Sequence, residues 1–384
     1  MVLEVEVERI LPGGMGLAHA GGKTVFVSLA APGDRLRVRV DREQGNVLFA
    51  SIEEILTPSP LRIEPPCPYF GRCGGCDFQQ LTYEAQLAAK AEMIRDCLHR
   101  ITRLENVPEF AVTPSPNEWR YRMRATWQID REQQRIGYYE RGSRRVCDVA
   151  DCAVLQPELQ ARLEKVRATE WRQFPPELKH LDVVEGENAV SFAPSFAEFE
   201  TNELSLTVRG EVYHYNAETF FQINPSLLGS LVDFALADVA GARALDLYSG
   251  VGLFTLPLAR LFESVVAVEA NSAAARFARR NLQHAGLSNV AVISATVTDW
   301  FRNVSVDPVN FVLLDPPRAG AESAVIQGIL RLKAPRICYV SCDPATLARD
   351  LKKLLASGYM VQSLNAFDLF PQTHHVETVV HLQQ

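Results

Sequence analysis

The last 165 residues of the chain alternate between short apolar runs and helical patterns, and this alternation restricts the possible folds more than any other feature. The apolar runs are four to six residues long and lie at 242–247, 265–268, 290–293, 311–314 and 337–340. Strands that are buried on both faces read as continuous apolar runs, and parallel strands need a crossover between them, usually a helix. Residues 220–384 therefore predict an α/β doubly wound domain, whose ligands bind beyond the carboxyl ends of its strands.

Residues 1–57 have the pattern of a small β domain. From residue 2 to residue 8, valine and leucine alternate with glutamate, which is the period of a half-buried strand. Turns rich in glycine then separate further apolar runs at 24–28, 36–40 and 47–55. About five short strands in a segment of this length predict a closed or nearly closed β-barrel of the OB-like kind.

Residues 58–219 predict a central mixed α+β domain. It opens with a loop rich in proline and glycine, and an amphipathic helix follows over about 81–101. We expect the apolar face of this helix to pack on the C-terminal domain. The remainder reads mostly as strands, with one polar helix near 155–172.

Composition and charge exclude several classes of protein. The chain is 47% hydrophobic, with 39 basic and 46 acidic residues, so it is neither disordered nor basic throughout. No window is long and apolar enough to span a membrane, and the amino terminus lacks the basic and apolar segments of a secretion signal. We therefore expect a cytoplasmic protein with no membrane partner, whose eight cysteines serve in the core, in metal binding or in catalysis.

Three cysteines in the central loop have a spacing that is typical of a metal site. Cys67, Cys73 and Cys76 are separated by five and by two residues, and a fourth thiolate is needed for an iron–sulfur cluster or for tetrahedral zinc. Cys147 and Cys152 are both available as the fourth ligand. The spacing alone does not separate the two kinds of metal site.

A short arginine-rich segment predicts contact with nucleic acid. Residues 120–145 contain eight arginines and three acidic residues, although the whole chain has a net charge of -7. If the segment starts as a strand, Arg120, Arg122 and Arg124 share one face. Such a face could bind RNA phosphates, and a solvated surface strand is the alternative.

The first strand of the C-terminal domain runs into a glycine turn that suits a nucleotide-like ligand. Gly250 and Gly252 allow the backbone to approach a ligand, and Glu269 ends the next strand, where a carboxylate can accept hydrogen bonds from ribose hydroxyls. The third glycine of a dinucleotide fingerprint is missing. This departure favours a nucleoside without pyrophosphate, such as S-adenosylmethionine, and an NAD-dependent dehydrogenase is the alternative.

Five motifs of the C-terminal domain together resemble one family. They are FFQIN at 220–224, DLYSGVGLFT at 246–255, DPPR at 315–318, SCDPAT at 341–346 and HVE at 375–377. In this order they resemble the S-adenosylmethionine-dependent RNA uracil-5-methyltransferases, which make 5-methyluridine in ribosomal or transfer RNA. The N-terminal barrel resembles the TRAM domain of many members, and the cysteine loop resembles the iron–sulfur site of the ribosomal type.

The resemblance implies a covalent reaction in which Cys342 is the nucleophile and Glu377 is the general base. C5 of uracil is too weak a nucleophile to attack a methyl sulfonium unaided, whereas addition of a thiolate to C6 converts the ring into an enolate. A base must later remove the C5 proton. Cys342 lies between a predicted strand and a helix that opens near Pro344, so we expect the helix dipole to favour its thiolate.

Seven residues match the positions at which the family contacts its cofactor. These residues are Gln222, Tyr248, Gly250, Leu253, Glu269, Thr296 and Asp315. Leu253 and Thr296 depart from the family, in which an amide side chain is common at both places. At these two positions we expect contacts through the backbone or none.

The resemblance also implies a metal centre, a substrate and an assembly state. The fourth cysteine ligand of the family's iron–sulfur site corresponds to Cys152. A [4Fe-4S] cluster is therefore expected, with zinc as the alternative. The expected substrate is a uridine of 23S rRNA, and we expect a monomer. A transfer RNA uracil-5-methyltransferase, an RNA cytosine-5-methyltransferase and an RNA-binding protein without catalysis are the alternatives.

Overall fold

The computed structural model describes residues 1–303 and 308–384, and it begins with a curved sheet. The strands of this sheet are β1 (Val2–Glu6), β2 (Arg9–Ile10), β3 (Gly16–Ala20), β4 (Lys23–Val27), β5 (Arg35–Gln44) and β6 (Val47–Thr57). They are ordered β1-β5-β6-β4-β3-β2, and Glu8 N donates to Leu17 O over 2.8 Å, so the two edges meet. Inward side chains such as Val25 and Leu36 are completely buried. The predicted N-terminal β domain is confirmed, with six strands instead of about five.

The central segment combines two helices with short strands. Its elements are α1 (Tyr83–Cys97), β7 (Val112–Thr113), β8 (Arg124–Asp130), β9 (Arg135–Tyr139), β10 (Val146–Asp148), α2 (Pro157–Ala168), β11 (His180–Glu185), β12 (Val190–Ala193), β13 (Leu204–Val208) and β14 (Glu211–Tyr215). Strands β10-β9-β8-β11-β12 form one sheet, and β13 and β14 form a hairpin. The helix predicted over 81–101 corresponds to α1 and the π-helical turn Leu98–Thr102 that follows it.

The C-terminal segment alternates strands and helices as predicted. Its elements are α3 (Leu228–Ala235), β15 (Gly241–Leu247), α4 (Thr255–Leu261), β16 (Phe262–Glu269), α5 (Ser272–His284), β17 (Val290–Ser294), α6 (Val297–Asn303), β18 (Phe311–Leu314), α7 (Ser323–Leu332), β19 (Arg336–Ser341), α8 (Pro344–Leu355), β20 (Met360–Phe367) and β21 (Glu377–Gln383). The described strands form a sheet in the order β17-β16-β15-β18-β19-β21-β20-β7. Pairing from β17 to β19 is parallel, so the doubly wound fold is confirmed.

The direction of β21 determines where the site forms. β21 pairs antiparallel to β19, with Ser341 opposite Thr378. Its first residue, Glu377, therefore lies at the edge where the parallel strands end. Because Cys342 directly follows β19, the chain brings both predicted catalytic residues to one edge of one sheet.

Helix α1 lies against the C-terminal sheet. Ile94, Cys97 and Leu98 belong to the same buried cluster as side chains of β18, β19 and β21. The short strand β7 extends this sheet by pairing parallel with the end of β20. No helix within residues 1–303 and 308–384 combines the length and apolarity needed to cross a membrane.

Candidate active site

The predicted cofactor and catalytic residues line one cleft at the carboxyl edge of the C-terminal sheet. The cleft has a volume of about 620 Å³. The predicted residues in its wall are Gln222, Tyr248, Gly250, Leu253, Glu269, Thr296, Asp315, Cys342 and Glu377. These residues come from the carboxyl ends of five strands, from the first residue of β21 and from the segment before α3. The fold and not sequence proximity therefore assembles the site.

The glycine turn after β15 is held in an unusual backbone conformation. Tyr248 has φ 65° and Gly250 has φ 55°, and both values lie in the left-handed region. Glu269 accepts Gly250 N over 2.8 Å at one carboxylate oxygen and Asn271 N over 2.6 Å at the other. A carboxylate has further lone pairs, so Glu269 can still accept hydrogen bonds from ribose hydroxyls.

Leu253 and Thr296 line the cleft without offering an amide side chain. The carbonyl oxygen of Leu253 accepts a hydrogen bond from Tyr213 Oη over 3.0 Å. Thr296 Oγ1 donates to Asp299 Oδ2 over 2.8 Å and accepts Asp299 N over 3.0 Å, so it closes the first turn of α6. These two residues shape the wall, and the Leu253 carbonyl and the Thr296 hydroxyl already have partners inside the protein.

Two carboxyl groups, those of Asp315 and Glu377, line the cleft, and the buried Asp246 carboxyl lies close enough to raise the pKa of Asp315. Burial raises the pKa of Asp246 to about 7. Burial also raises the pKa of Asp315 and, with the charge of Asp315 added, the pKa of Glu377. Asp246 Oδ1 and Glu377 Oε1 are buried and have no hydrogen-bond partner among the described residues. An anionic pyrophosphate would be repelled here, whereas a cationic methyl sulfonium would be stabilised, so the cleft fits S-adenosylmethionine better than NAD.

Cys342 is partly exposed to this cleft, between β19 and α8. Burial raises the pKa of its thiol to about 12, the Glu377 carboxyl adds to the shift and the Arg318 guanidinium opposes it. Asp343 already caps α8, because its side chain accepts Thr346 N over 2.8 Å. The net shift therefore disfavours the thiolate in the protein without its substrates, whereas the contribution expected of the helix dipole stays a prediction.

Arg318 is a cleft residue to which sequence reasoning assigned no role. It lines the cleft within the Asp-Pro-Pro-Arg motif, and its charge acts to lower the pKa of both Cys342 and Glu377. The Asp-Pro-Pro-Arg motif could have indicated this role. The motif follows a buried strand, so its arginine lies at the edge of the sheet where the reacting groups meet.

The four predicted cysteine ligands line a second, smaller pocket. Cys67, Cys73, Cys76 and Cys152 all border it, together with Arg122. Cys147 lies outside it, where its sulfur accepts a hydrogen bond from Arg72 Nε over 3.2 Å. Within the described residues, no three His, Cys, Asp or Glu side chains are grouped closely enough to hold a single metal ion.

The arginines of the predicted RNA-binding face are not arranged on one strand. Arg120 has φ 54°, and β8 begins only at Arg124, so alternation does not extend through the three residues. Arg122 lines the cysteine pocket, and Arg124 donates to the carbonyl oxygens of Thr219 and Ala217. Arg120 alone of the three is exposed, and it pairs with Asp151. The prediction of a continuous arginine face is wrong because a turn interrupts the strand.

Two family models match the chain. Residues 196–384 match the model described as tRNA (Uracil-5-)-methyltransferase, and residues 1–52 match the TRAM domain. The first match contains the cleft, and the second contains most of the N-terminal sheet.

Relatives of this chain match it over nearly its whole length. The chain is 34% identical to a 23S rRNA (uracil(1939)-C(5))-methyltransferase RlmD of Pectobacterium atrosepticum, over 98% of this chain and 92% of the relative. It is 30% identical to an uncharacterized RNA methyltransferase of Thermotoga maritima, over 100% and 99% of the two chains.

A solved structure has the same overall fold. The Pyrococcus abyssi tRNA (uracil-54, C5)-methyltransferase in complex with S-adenosyl-L-homocysteine superposes with a TM-score of 0.76 at 26% identity, and covers 98% of this chain and 99% of its own. The chain belongs to the S-adenosylmethionine-dependent RNA uracil-5-methyltransferase family.

Proposed function

We propose that this protein methylates C5 of one or more uridines in 23S rRNA through a covalent adduct between Cys342 and C6 of the base. The observation that carries the proposal is the meeting of Cys342 and Glu377 in one cleft whose remaining wall suits S-adenosylmethionine. Two separate strand ends supply a nucleophile and a base, as the two halves of the reaction require.

Cys342 acts in the first half of the reaction. Its thiolate adds to C6 of the uracil, and the electrons of the C5–C6 double bond move to the oxygen on C4. C5 then attacks the methyl carbon, and the carbon–sulfur bond of the cofactor breaks to leave S-adenosylhomocysteine. S-adenosylmethionine supplies the methyl group and brings a positive sulfonium into the cleft. This charge and that of Arg318 oppose the burial that raises the pKa of Cys342.

Glu377 acts in the second half. Its carboxylate removes the C5 proton, the enolate electrons restore the C5–C6 double bond, and the sulfur of Cys342 leaves as a thiolate. Glu377 is the first residue of β21, and its side chain is only 2% exposed. This burial keeps bulk water from replacing it as the base. The pKa of Glu377 is raised, so a cationic neighbour is needed to keep it ionised near neutral pH.

We propose that the pocket of Cys67, Cys73, Cys76 and Cys152 holds a [4Fe-4S] cluster. A single zinc ion needs its four sulfurs at about 2.3 Å from one point, whereas in a cluster each cysteine binds a different iron. The four cysteines that border this pocket supply the number of thiolates that a cluster needs. Arg122 Nε is buried there without a partner among the described residues, and its charge would offset that of the thiolates.

We propose 23S rRNA as the substrate because of the named relative that shares the barrel and nearly the full chain length. We also propose that the protein works in the cytoplasm, where ribosomes are made, and as a monomer. Every residue used in the mechanism comes from one chain, so a monomer contains a complete site.

The direct test is mass mapping of modified nucleosides in RNA from cells that lack the protein, complemented by wild type or by Cys342→Ala. We expect 5-methyluridine to be missing from one or more positions of 23S rRNA and to return only with wild type. Loss confined to transfer RNA would establish the transfer RNA alternative, and loss of 5-methylcytidine would establish a cytosine-5-methyltransferase.

A further inference from the structure

The segment that leads into Glu377 is held mainly by residues from the central part of the chain. Gln372 O accepts hydrogen bonds from Asp77 N and Phe78 N, each over 3.1 Å. Gln372 N donates to Gln86 Oε1 over 2.9 Å, and Pro371 O accepts Tyr121 Oη over 2.9 Å. We call residues 371–376 the base segment. Strand pairing fixes Glu377 on its carboxyl side, whereas these contacts fix the chain on its amino side.

Asp77 makes the contact nearest to Glu377. Its Oδ1 accepts His374 N over 2.8 Å, and its Oδ2 accepts a hydrogen bond from His374 Nδ1. His374 precedes Glu377 by three residues, and Asp77 directly follows Cys76. Two hydrogen bonds between one carboxylate and one residue fix both the backbone and the side chain of His374, so this pair restrains the approach to the base more closely than any single bond would.

The N-terminal sheet closes over the same pair. Gly14, in the turn between β2 and β3, has φ 78°, and a Cβ placed on it would lie 3.2 Å from Asp77 Oδ2 and 3.2 Å from His374 Cβ. The turn therefore packs directly against the pair, and a side chain at position 14 would be in tight contact with it. Asp77 and His374 lie about 14% and 24% exposed, at a junction of the three parts of the chain.

The cysteine pocket adjoins these contacts at two places. Cys76 precedes Asp77, and Arg122, which borders the pocket, follows Tyr121. Thus two of the residues that hold the base segment are direct chain neighbours of pocket residues. Among the described residues, no hydrogen bond joins the pocket to the loop of Cys342, so these two chain neighbours connect the pocket to the base segment and not to the nucleophile.

We propose that Asp77 and His374 are a positioning pair that connects the cysteine pocket to the general base Glu377. The inference rests on the proposed function, since it assigns the pair to the second half of that reaction. It predicts that the pair affects removal of the C5 proton and not addition of Cys342. A misplacement of about 1 Å at a reacting group can cost on the order of 10²-fold in rate, so a loosened base segment has a measurable effect.

The test compares purified full-length His374→Ala, Asp77→Ala and the double variant with wild type, on an RNA fragment and S-adenosylmethionine. We expect adduct formation in a single turnover to stay within about twofold of wild type, and decay of the methylated adduct to slow by about tenfold. The double variant should decay no more slowly than Asp77→Ala, because Asp77→Ala already removes both hydrogen bonds, whereas His374→Ala removes only the one from the ring. His374→Asn can still donate to Asp77, so it should recover part of the rate.

A second readout separates positioning from general damage. Hydrogen–deuterium exchange should become faster in the base segment of His374→Ala, with iron content unchanged. His19→Ala is the matched control, because it makes the same change in another histidine–carboxylate pair, with Glu8 on the N-terminal sheet, without touching the base segment. It should leave adduct decay unchanged.

If wild type forms an adduct, two results would overturn the positioning role. One is that the variants slow adduct formation and adduct decay equally, and the other is that adduct decay is unchanged in His374→Ala. If wild type makes 5-methyluridine without any adduct, the covalent route itself fails. The two failures are therefore distinguishable.

Discussion

At the scale of single residues, the site combines a proposed nucleophile and a proposed base that both hold their protons more strongly than usual. Burial raises the pKa of Cys342 to about 12 and raises that of Glu377, and carboxyl groups nearby increase both shifts. The two groups are therefore poised to ionise when positive charge enters the cleft. Such control would keep an active thiolate from forming before the substrates are bound.

Asp315→Asn should move the pH dependence of adduct formation toward lower pH. The charge of Asp315 raises the pKa of Glu377 and of Cys342, so its removal lowers both values and ionised forms appear at lower pH. We expect a shift of about one unit, measured with saturating S-adenosylmethionine. The control is Asp41→Asn on the N-terminal sheet, away from the cleft, and a shift toward higher pH in Asp315→Asn would contradict the electrostatic account.

The places of Cys342 and Glu377 in one cleft could be predicted from sequence, whereas the shifts of their pKa values could not. The motifs are short and local, so they mark the two positions directly, and the catalytic roles stay a prediction. The direction of the pKa shift of Cys342 depends on Asp315, on Glu377 and on burial, which come from other strands and from the closed sheet. A dipole argument made from α8 alone contains none of these effects.

At the scale of elements, the cysteine loop and the turn before β8 are organised around one pocket. The spacing of Cys67, Cys73 and Cys76 predicted the loop, and the structure brings Cys152 to it. The strand expected through Arg120 was wrong because its backbone turns there, and local alternation contains no signal for a left-handed residue. Arg122 consequently faces the cysteines.

Cys152→Ser should lose iron, and Cys147→Ser should not. Cys152 borders the pocket, whereas the sulfur of Cys147 is held outside it by Arg72. The two residues are five positions apart and undergo the same change, so each variant serves as the control of the other. Iron and sulfide analysis after anaerobic purification measures the outcome. Full iron content in Cys152→Ser, or stoichiometric zinc in wild type, would contradict the assignment.

At the scale of the whole molecule, a buried ion pair joins α1 to the chain that follows β20. Lys90 Nζ lies 2.5 Å from Asp368 Oδ1 and also donates to Phe370 O, and both side chains are completely buried. The residues are 278 positions apart. Sequence patterns predicted the helix and its apolar face but not this pair or the pairing of β7 with β20, because both depend on how distant segments meet.

Lys90→Met should lower the free energy of unfolding by about 3–5 kcal/mol, because it leaves the Asp368 charge buried and unpaired. Adding Asp368→Asn should recover part of this loss. Lys23→Met is the control, since it removes a surface pair with Glu43 and should cost no more than about 1 kcal/mol. Chemical unfolding measures the free energy of unfolding of all three variants. An equal loss in Lys90→Met and Lys23→Met would show that the buried pair contributes little to stability.

The most direct test of the central claim compares Cys342→Ala with Glu377→Gln, because the mechanism assigns these residues to different halves of the reaction. Each variant is incubated with labelled RNA and S-adenosylmethionine, separated by denaturing electrophoresis, and any shifted band is analysed by mass. Cys342→Ala should bind both substrates and form no covalent band. Glu377→Gln should accumulate the methylated adduct, since loss of a positioned base slows proton removal by roughly 10²–10⁴-fold. A covalent band with Cys342→Ala, or none with a folded Glu377→Gln that binds both substrates, would contradict the account.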